Sequence, residues 1–250
     1  MKLRPFLLGA ALLAGACNAQ ISDGGARLAG DVDASIGTTT DPVSDATTAT
    51  LCAARSVYLN FEGQSLTKGP SDATTNHASW MQKATGTAPP YLSGDPNRAT
   101  AIQAIVDGVR TQLSQFPITV TTTRPATGEY VMIVFGGTAA AIGSKFGAAV
   151  NTLDCGDVQH NDVAWISDNV SPPQHVINTA IGAIGFGLGL TATGDPKDCM
   201  CGWDNQCNSN NTVTCTLGAA VTRDPAANQL CAGAGTTQDE VATLRTAFCM

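Results

Sequence analysis

The sequence is poor in charged and aromatic side chains and contains no run of basic residues. Charged residues make up 13% of the 250 positions, aromatic residues make up 5%, and the 13 lysines and arginines are scattered. Because nucleic-acid binding relies mainly on neutralising phosphates, this distribution argues against nucleic acid as a partner. The net charge of -7 is typical of an acidic, soluble extracytoplasmic protein.

Long apolar runs are also lacking. The run at residues 6–13 is roughly half of the ~20 residues that a helix needs to cross a bilayer, and no later stretch reaches that length without interruption. Lys2 and Arg4 precede the run and small residues follow it before Cys17, which is typical of a secretory signal. The sequence therefore predicts a signal peptide at residues 1–16.

Residues 13–17 resemble the lipobox of bacterial lipoproteins, in which small residues precede an acylated cysteine. The resemblance implies a lipid anchor on Cys17 and retention in the bacterial cell envelope. The alternative is an ordinary signal peptide that is cleaved next to Ala16 or Ala19 and releases a secreted protein, because both signals use small residues before the cut.

Nine cysteines are present, and eight remain when Cys17 is set aside. An even number in an exported chain predicts four disulfides, but about a hundred pairings are open to eight cysteines, so the connectivity stays open. The alternative is a zinc cluster of Cys199, Cys201, Cys207 and Cys215, whose spacing fits no standard zinc module. The eight cysteines are Cys52, Cys155, Cys199, Cys201, Cys207, Cys215, Cys231 and Cys249.

Composition divides the chain into a tether and a domain. Residues 17–50 are rich in Asp, Thr, Ser, Gly and Ala, include no aromatic residue and show no helical or strand period, which predicts a disordered tether. Residues 51–250 are long enough for one well-buried domain, which we expect to be monomeric.

Apolar periodicity predicts four strands and three helices in this domain. The predicted strands are 56–62, 118–123, 130–135 and 162–167. A polar loop is expected from Gly63 to about Gly94, and Asp95-Pro96 indicates the start of an amphipathic helix that extends to Phe116.

The second predicted helix is apolar on almost every side. Ser171 is its expected N-cap and Gln174 its capping-box partner, and the helix is expected to end near Leu188 in the middle of the domain. Its four glycines lower helix propensity and indicate a cause other than local preference. A cysteine-dense loop region follows, and a second capping box at Thr237 and Glu240 starts the last helix.

Residues 181–200 resemble the active-site segment of the metzincin zinc proteases, in particular the matrixin-like ones. That family carries the pattern H-E-x-x-H-x-x-G-x-x-H, followed by a Met-turn. When Gly189 is aligned with the glycine of the pattern, all four catalytic positions carry other residues. The first His falls on Gly182, the Glu on Ala183, the second His on Phe186 and the third His on Ala192.

The scaffold of the segment is retained, including Gly185, residues 188–190 and residues 195–200 with Met200 at the Met-turn position. The resemblance implies an α+β, zincin-like fold with a twisted mixed sheet, two long helices, a disulfide-rich C-terminal region and a short final helix. It further implies an upper subdomain at 51–192 and a C-terminal subdomain at 193–250.

The replaced positions remove the means of zinc catalysis. A catalytic zinc needs three protein ligands, and Gly182, Phe186 and Ala192 offer no side-chain lone pair. Without the ion nothing lowers the pKa of the attacking water to about 7, and Ala183 is no general base. We therefore expect zinc to be absent and the Phe186 ring to fill the space that the zinc and the second His occupy in active relatives.

Other side chains offer weak substitutes for the lost site. A new zinc site would require His77, His160 and His175 to converge from distant segments, and surface histidines are usually solvated. Asp154, Asp157 and Asp162 could hold a structural calcium ion through oxygen ligands, or they form a solvated loop.

The sequence leaves three functions open. The first is a catalytically inactive, metalloprotease-like envelope lipoprotein whose former cleft binds a peptide or protein. The second is an active secreted zinc metallopeptidase whose ligands lie elsewhere, since fold alone does not carry function. The third is a purely structural surface lipoprotein.

Overall fold

A computed structural model describes residues 55–201, 212–231 and 233–249. The predicted signal peptide, Cys17, the tether, Cys52 and Cys207 lie outside these residues. The described strands are β1 (Ser56–Asn60), β2 (Gln64–Lys68), β3 (His77–Ala78), β4 (Thr85–Ala88), β5 (Thr119–Thr121), β6 (Tyr130–Phe135), β7 (Ala149–Val150), β8 (Val163–Ile166), β9 (Val221–Thr222) and β10 (Thr237–Gln238). The described helices are α1 (Arg98–Gln112), α2 (Ala139–Ile142), α3 (Pro173–Gly187), α4 (Pro225–Asn228) and α5 (Glu240–Ala247).

A five-stranded mixed sheet forms the centre of the domain, in the order β5-β1-β6-β8-β7. The first four strands are parallel, and β7 pairs antiparallel with β8 at one edge. Two smaller sheets accompany it, one of β3, β2 and β4 and one of β10 and β9. The architecture is therefore α+β, as the sequence predicts at this level.

Both faces of the sheet are buried, which explains the continuous apolar runs of its strands. All six residues of β6 are buried. Val131, Ile133 and Phe135 belong to the larger core, to which α1 and α3 contribute. Tyr130 and Met132, which alternate with them, belong to the second core on the other face of the sheet. The period of two along a strand separates these two sets.

The two long helices pack together over the larger core. A Cβ atom at Gly108 of α1 would lie 2.3 Å from Cδ1 of Ile177 in α3, so a larger residue there would require the Ile177 side chain to move. None of the helices among the described residues is long and apolar enough to cross a membrane.

The helix starts differ from the predicted caps in all three cases. Helix α1 has Asn97 as its N-cap, while the Asp95 carboxylate accepts the Asn97 N–H in the turn before it. Helix α3 has Pro172 as its N-cap, and Gln174 donates to Asn178 instead of closing a capping box. Helix α5 has Asp239 as its N-cap, because Thr237 is paired in β10.

The loop predicted between β1 and Gly94 contains a small sheet. Strands β2 and β4 pair over four residues each, and Leu66 is the only fully buried side chain of β2. Because these strands are short and mostly exposed, their sequence carries little apolar alternation. The prediction of an irregular loop was wrong for this reason.

Two disulfides join described residues: Cys155–Cys231 and Cys199–Cys215. Cys201 and Cys249 are also disulfide-bonded. The bridge between Cys199 and Cys215 contradicts the alternative of a four-cysteine zinc cluster, since bridged sulfurs supply no thiolate ligands. Disulfides are consistent with an extracytoplasmic protein.

Candidate functional site

Helix α3 carries three of the four positions at which the metzincin pattern is replaced. The helix is buried along most of its length, as its apolar sequence predicts. Gly182 and Ala183 are buried, Phe186 is half-buried, and Ala192 is fully buried in the segment that follows the helix. The Phe186 ring packs against the larger core, and the expectation that it fills a former zinc space stays a prediction.

The chain after α3 returns and packs directly on the helix at two glycines. A Cβ atom at Gly182 would lie 2.7 Å from the carbonyl oxygen of Cys199, and one at Gly185 would lie 2.4 Å from the Met200 sulfur. Real Cβ atoms essentially never come closer than about 3 Å to another heavy atom, so Gly182 is required against the Cys199 backbone, whereas a larger residue at position 185 would require the Met200 side chain to move. The space where a His side chain would begin at position 182 is occupied by backbone.

The end of α3 is fixed by glycine for a different reason. Gly189 has φ +90°, a conformation that L side chains rarely adopt, and it follows the C-cap residue Leu188. The N–H of Leu190 then donates to the carbonyl of Gly185, which closes the helix in a Schellman-type turn. The glycines of this helix therefore reflect tertiary contacts and a turn, as their low propensity indicates.

The aspartate Asp162 lies buried beside the C-terminal end of α3. Its side chain is 0% exposed, and neither carboxyl oxygen has a hydrogen-bond partner of acceptable geometry among the described residues. Burial, followed by the negative charge of Asp154, raises the pKa of Asp162 to about 8, and the Ser71 hydroxyl offsets only part of this. At neutral pH the carboxyl group is therefore mainly uncharged.

The other two predicted calcium ligands have protein partners. Asp157 pairs with Arg55 at 2.5 Å, and Asp154 accepts the N–H of Gln159 at 2.6 Å. Burial raises the pKa of Asp157 even though Arg55 acts against it. Within residues 55–201, 212–231 and 233–249, no group of three His, Cys, Asp or Glu side chains is placed to hold a metal ion.

The three histidines lie in three separate places. His77 lies in β3 and contacts the Thr75 hydroxyl. His160 pairs with Glu129 at 2.9 Å. His175 lies in the first turn of α3 beside the carbonyl of Ser171. The hydrogen bond from His160 lowers the pKa of Glu129.

The edge strand β7 presents free backbone groups next to α3. The Ser167 N–H donates to the carbonyl of Ala148, and the register pairs Ala149 with Ile166 and Val150 with Trp165. Because antiparallel strands direct alternate residues toward the partner strand, the N–H and C=O of Ala149 point away from β8. The strand is the last in the sheet order, so this side offers hydrogen bonds to an added strand.

Sequence reasoning missed two features of this region. The two-residue strand β7 is too short to show alternation, and the burial of Asp162 cannot be read from a polar loop sequence. Neither feature leaves a signal in residue spacing. No protein-family model matches the chain, and a comparison with curated proteins gives no significant match.

Proposed function

We propose that the chain is a catalytically inactive, zinc-free domain of metzincin-like architecture that binds an extended peptide segment along β7. In this proposal Cys17 carries a lipid that retains the protein in the bacterial cell envelope, with the tether between lipid and domain. The observation that carries the proposal is the packing of the Cys199 carbonyl on Gly182, which leaves no space for the first zinc ligand of the family pattern.

The order of elements supports the architectural part of the proposal. The metzincin resemblance implies a mixed sheet of mainly parallel strands that packs against two long helices. The sheet here has four parallel strands and one antiparallel edge strand, and α1 and α3 cover one of its faces. The second of these helices carries the altered pattern.

The edge strand β7 supports the proposal that the domain binds an extended peptide. An extended peptide that pairs with a free sheet edge gains main-chain hydrogen bonds, and neighbouring side chains supply specificity. Ala149 offers one outward N–H and one outward C=O, and the exposed ring of Phe146 lies just before the strand. An apolar or aromatic peptide side chain could pack against that ring.

The first experiment measures zinc content and proteolysis together. The purified, oxidised protein is dialysed, analysed by elemental mass spectrometry and incubated with casein, with and without a chelator. We expect less than about a tenth of an equivalent of zinc and no cleavage, because a catalytic site needs three protein ligands. About one equivalent of zinc with chelator-sensitive cleavage would establish the active peptidase instead.

The second experiment tests the edge strand with a matched pair of variants. Ala149→Pro removes the outward N–H and keeps the ladder to β8, whereas Ala149→Thr keeps the N–H at this half-buried position. Peptides selected from a random phage-displayed library against the wild type should bind the Thr variant and lose at least about tenfold in affinity for the Pro variant. Equal binding to both variants, or no selected peptide, would contradict strand addition.

A further inference from the structure

Two buried carboxyl groups meet where the C-terminal part of the chain packs behind the altered motif. Asp198 lies in the segment after α3, and Glu240 is the first residue of α5. Asp198 is 7% exposed, Glu240 is 0% exposed, and the two side chains interact closely enough that each shifts the pKa of the other. Two carboxyl groups this close share one proton, because two adjacent buried negative charges repel strongly.

The remaining oxygens of the pair accept hydrogen bonds from neutral donors. Glu240 accepts the N–H of Gly218 at 2.9 Å and the side-chain amide of Gln238 at 2.9 Å. Asp198 accepts the N–H of Met200 at 2.6 Å. These donors position both carboxyl groups but supply no positive charge to replace the shared proton.

Gln238 extends the network to the chain just after α3. Its side-chain oxygen accepts from both the N–H and the hydroxyl of Thr191 at 3.0 Å, and its amide also donates to the Thr191 carbonyl at 2.8 Å. Strand β10 and helix α5 are thereby joined through buried side chains to the segment that carries Ala192 and Met200.

The charged groups that act on the pair are acidic. Asp198 raises the pKa of Glu240, and Asp195 raises the pKa of Asp198, after burial as the first cause in both cases. Lys197 in the Asp198 segment and Arg245 in α5 are both exposed to solvent. Burial raises the pKa of Glu240 from 4.5 to about 8, so the proton is retained at neutral pH.

We propose that Asp198 and Glu240 form a pH-sensitive latch whose shared proton holds β10 and α5 against residues 191–200. Because both carboxyl groups are buried, a substrate cannot reach them, and we assign them a conformational role. When the proton is lost, two buried negative charges face each other without a cation, and the contact opens. The opening loosens the segment that packs Met200 on α3. The latch does not depend on peptide binding at β7.

The sign of the pH dependence follows from proton binding. Between about 4.5, the ordinary pKa of Glu240, and about 8, its folded value, the closed state holds a proton that the open state has released. The latch is fully stable below this window, loses stability as pH rises through it, and changes no further above it. Opening therefore increases by up to about tenfold for each pH unit within the window.

Hydrogen exchange followed by mass spectrometry tests the latch in the intact, oxidised protein. Protection factors, corrected for the intrinsic exchange rate, are measured for peptides that cover β10 and α5 at about pH 6, 7 and 8. We expect protection in these peptides to fall by several-fold to about tenfold per pH unit. In the Asp198→Asn variant the amide can donate to Glu240 and the second acid is gone, so protection should fall less steeply with pH than in the wild type.

Asp162→Asn is the matched control, because it removes another buried acid of raised pKa outside the latch. The pH dependence of the β10 and α5 peptides should persist at full strength in this control and weaken in a second variant, Glu240→Gln. The proposal is overturned if the wild-type peptides show no pH dependence, or if the dependence keeps its wild-type strength in both Asp198→Asn and Glu240→Gln.

Discussion

At the scale of single residues, Asp162 shows how burial sets the charge of a side chain. Its carboxyl group lies against the end of α3, where a Cβ atom at Gly187 would be 2.9 Å from Oδ2 of Asp162. With no cation in contact and Asp154 nearby, the neutral form is favoured. The residue therefore contributes to stability as an uncharged group.

The first prediction concerns the pH dependence that Asp162 confers. The folded state binds a proton between about 3.8 and about 8 that the unfolded state has released, so stability falls as pH rises through this window. Asp162→Asn should be more stable than the wild type by roughly 1 to 3 kcal/mol at about pH 8.5 and nearly equal at about pH 4. Urea unfolding at both pH values measures the difference.

The control for this measurement is Asp107→Asn on the exposed face of α1. Its surface carboxylate should shift the urea midpoint by no more than about 0.5 kcal/mol at either pH. A stability difference between Asp162→Asn and the wild type that is the same at both pH values would contradict a raised pKa at Asp162.

The second prediction concerns the close approach at Gly182. Gly182→Ala places a methyl group 2.7 Å from the Cys199 carbonyl oxygen, and it should destabilise the fold by roughly 1 to 3 kcal/mol. Gly147→Ala is the control, because its Cβ meets no atom within 4 Å. Chemical denaturation compares the two, and an equal or higher stability of Gly182→Ala would contradict the packing.

At the scale of elements, α3 and the returning segment form one packed unit. The two glycines of α3 accept the Cys199 backbone and the Met200 side chain, and the bridge to Cys215 holds that segment. The Cys199 backbone thus occupies the space beside position 182, at which the metzincin resemblance would place the first His.

The third prediction follows from this packing. The variant with Gly182→His, Ala183→Glu, Phe186→His and Ala192→His restores the family pattern in sequence, yet it should bind less than about a tenth of an equivalent of zinc. The reason is that backbone occupies the space next to position 182. Elemental mass spectrometry after dialysis measures the metal, with circular dichroism as a check of folding.

Folding decides how that experiment is interpreted. A folded variant that binds about one equivalent of zinc would show that the segment moves away from α3 at low cost. If the fourfold variant does not fold, Gly182→His alone tests whether the fold tolerates a His at that position.

The elements also show where sequence patterns are reliable. Strand β6 was predicted with its observed bounds, because all six of its residues are apolar and buried. The helix caps at Asp95, Ser171 and Thr237 were wrong by one or two residues. Polar residues cluster before each helix, and several of them satisfy the local requirements of an N-cap. Tertiary contacts decide which of these residues takes the position.

At the scale of the whole molecule, disulfides tie distant parts of the domain together. Cys155 lies between β7 and β8, and Cys231 follows α4, at a sequence separation of 76 residues. Cys199 and Cys215 are separated by 16 residues. Both bridges anchor the C-terminal region, which has short strands and a small share of the core.

The fourth prediction is the effect of removing each bridge. Cys199→Ser with Cys215→Ser should cost about 3 kcal/mol of unfolding free energy, on the chain-entropy account for a loop of this length. Cys155→Ser with Cys231→Ser should cost about 4 kcal/mol, because the loop is longer. Urea unfolding under non-reducing conditions measures both, and a smaller loss for the second pair would show that other bonds already constrain that loop.

The sequence by itself determined the local features: an even set of cysteines beyond Cys17, strand β6, and an α3 that is apolar on almost every side. These follow from composition and short-range periodicity, which depend on neighbours along the chain. Only the tertiary structure decided that backbone occupies the space beside Gly182, that Asp162 is buried with neither carboxyl oxygen well hydrogen-bonded among the described residues, and that Asp198 lies beside Glu240. Each of these depends on segments far apart in sequence, and their contact energies leave no trace in residue spacing.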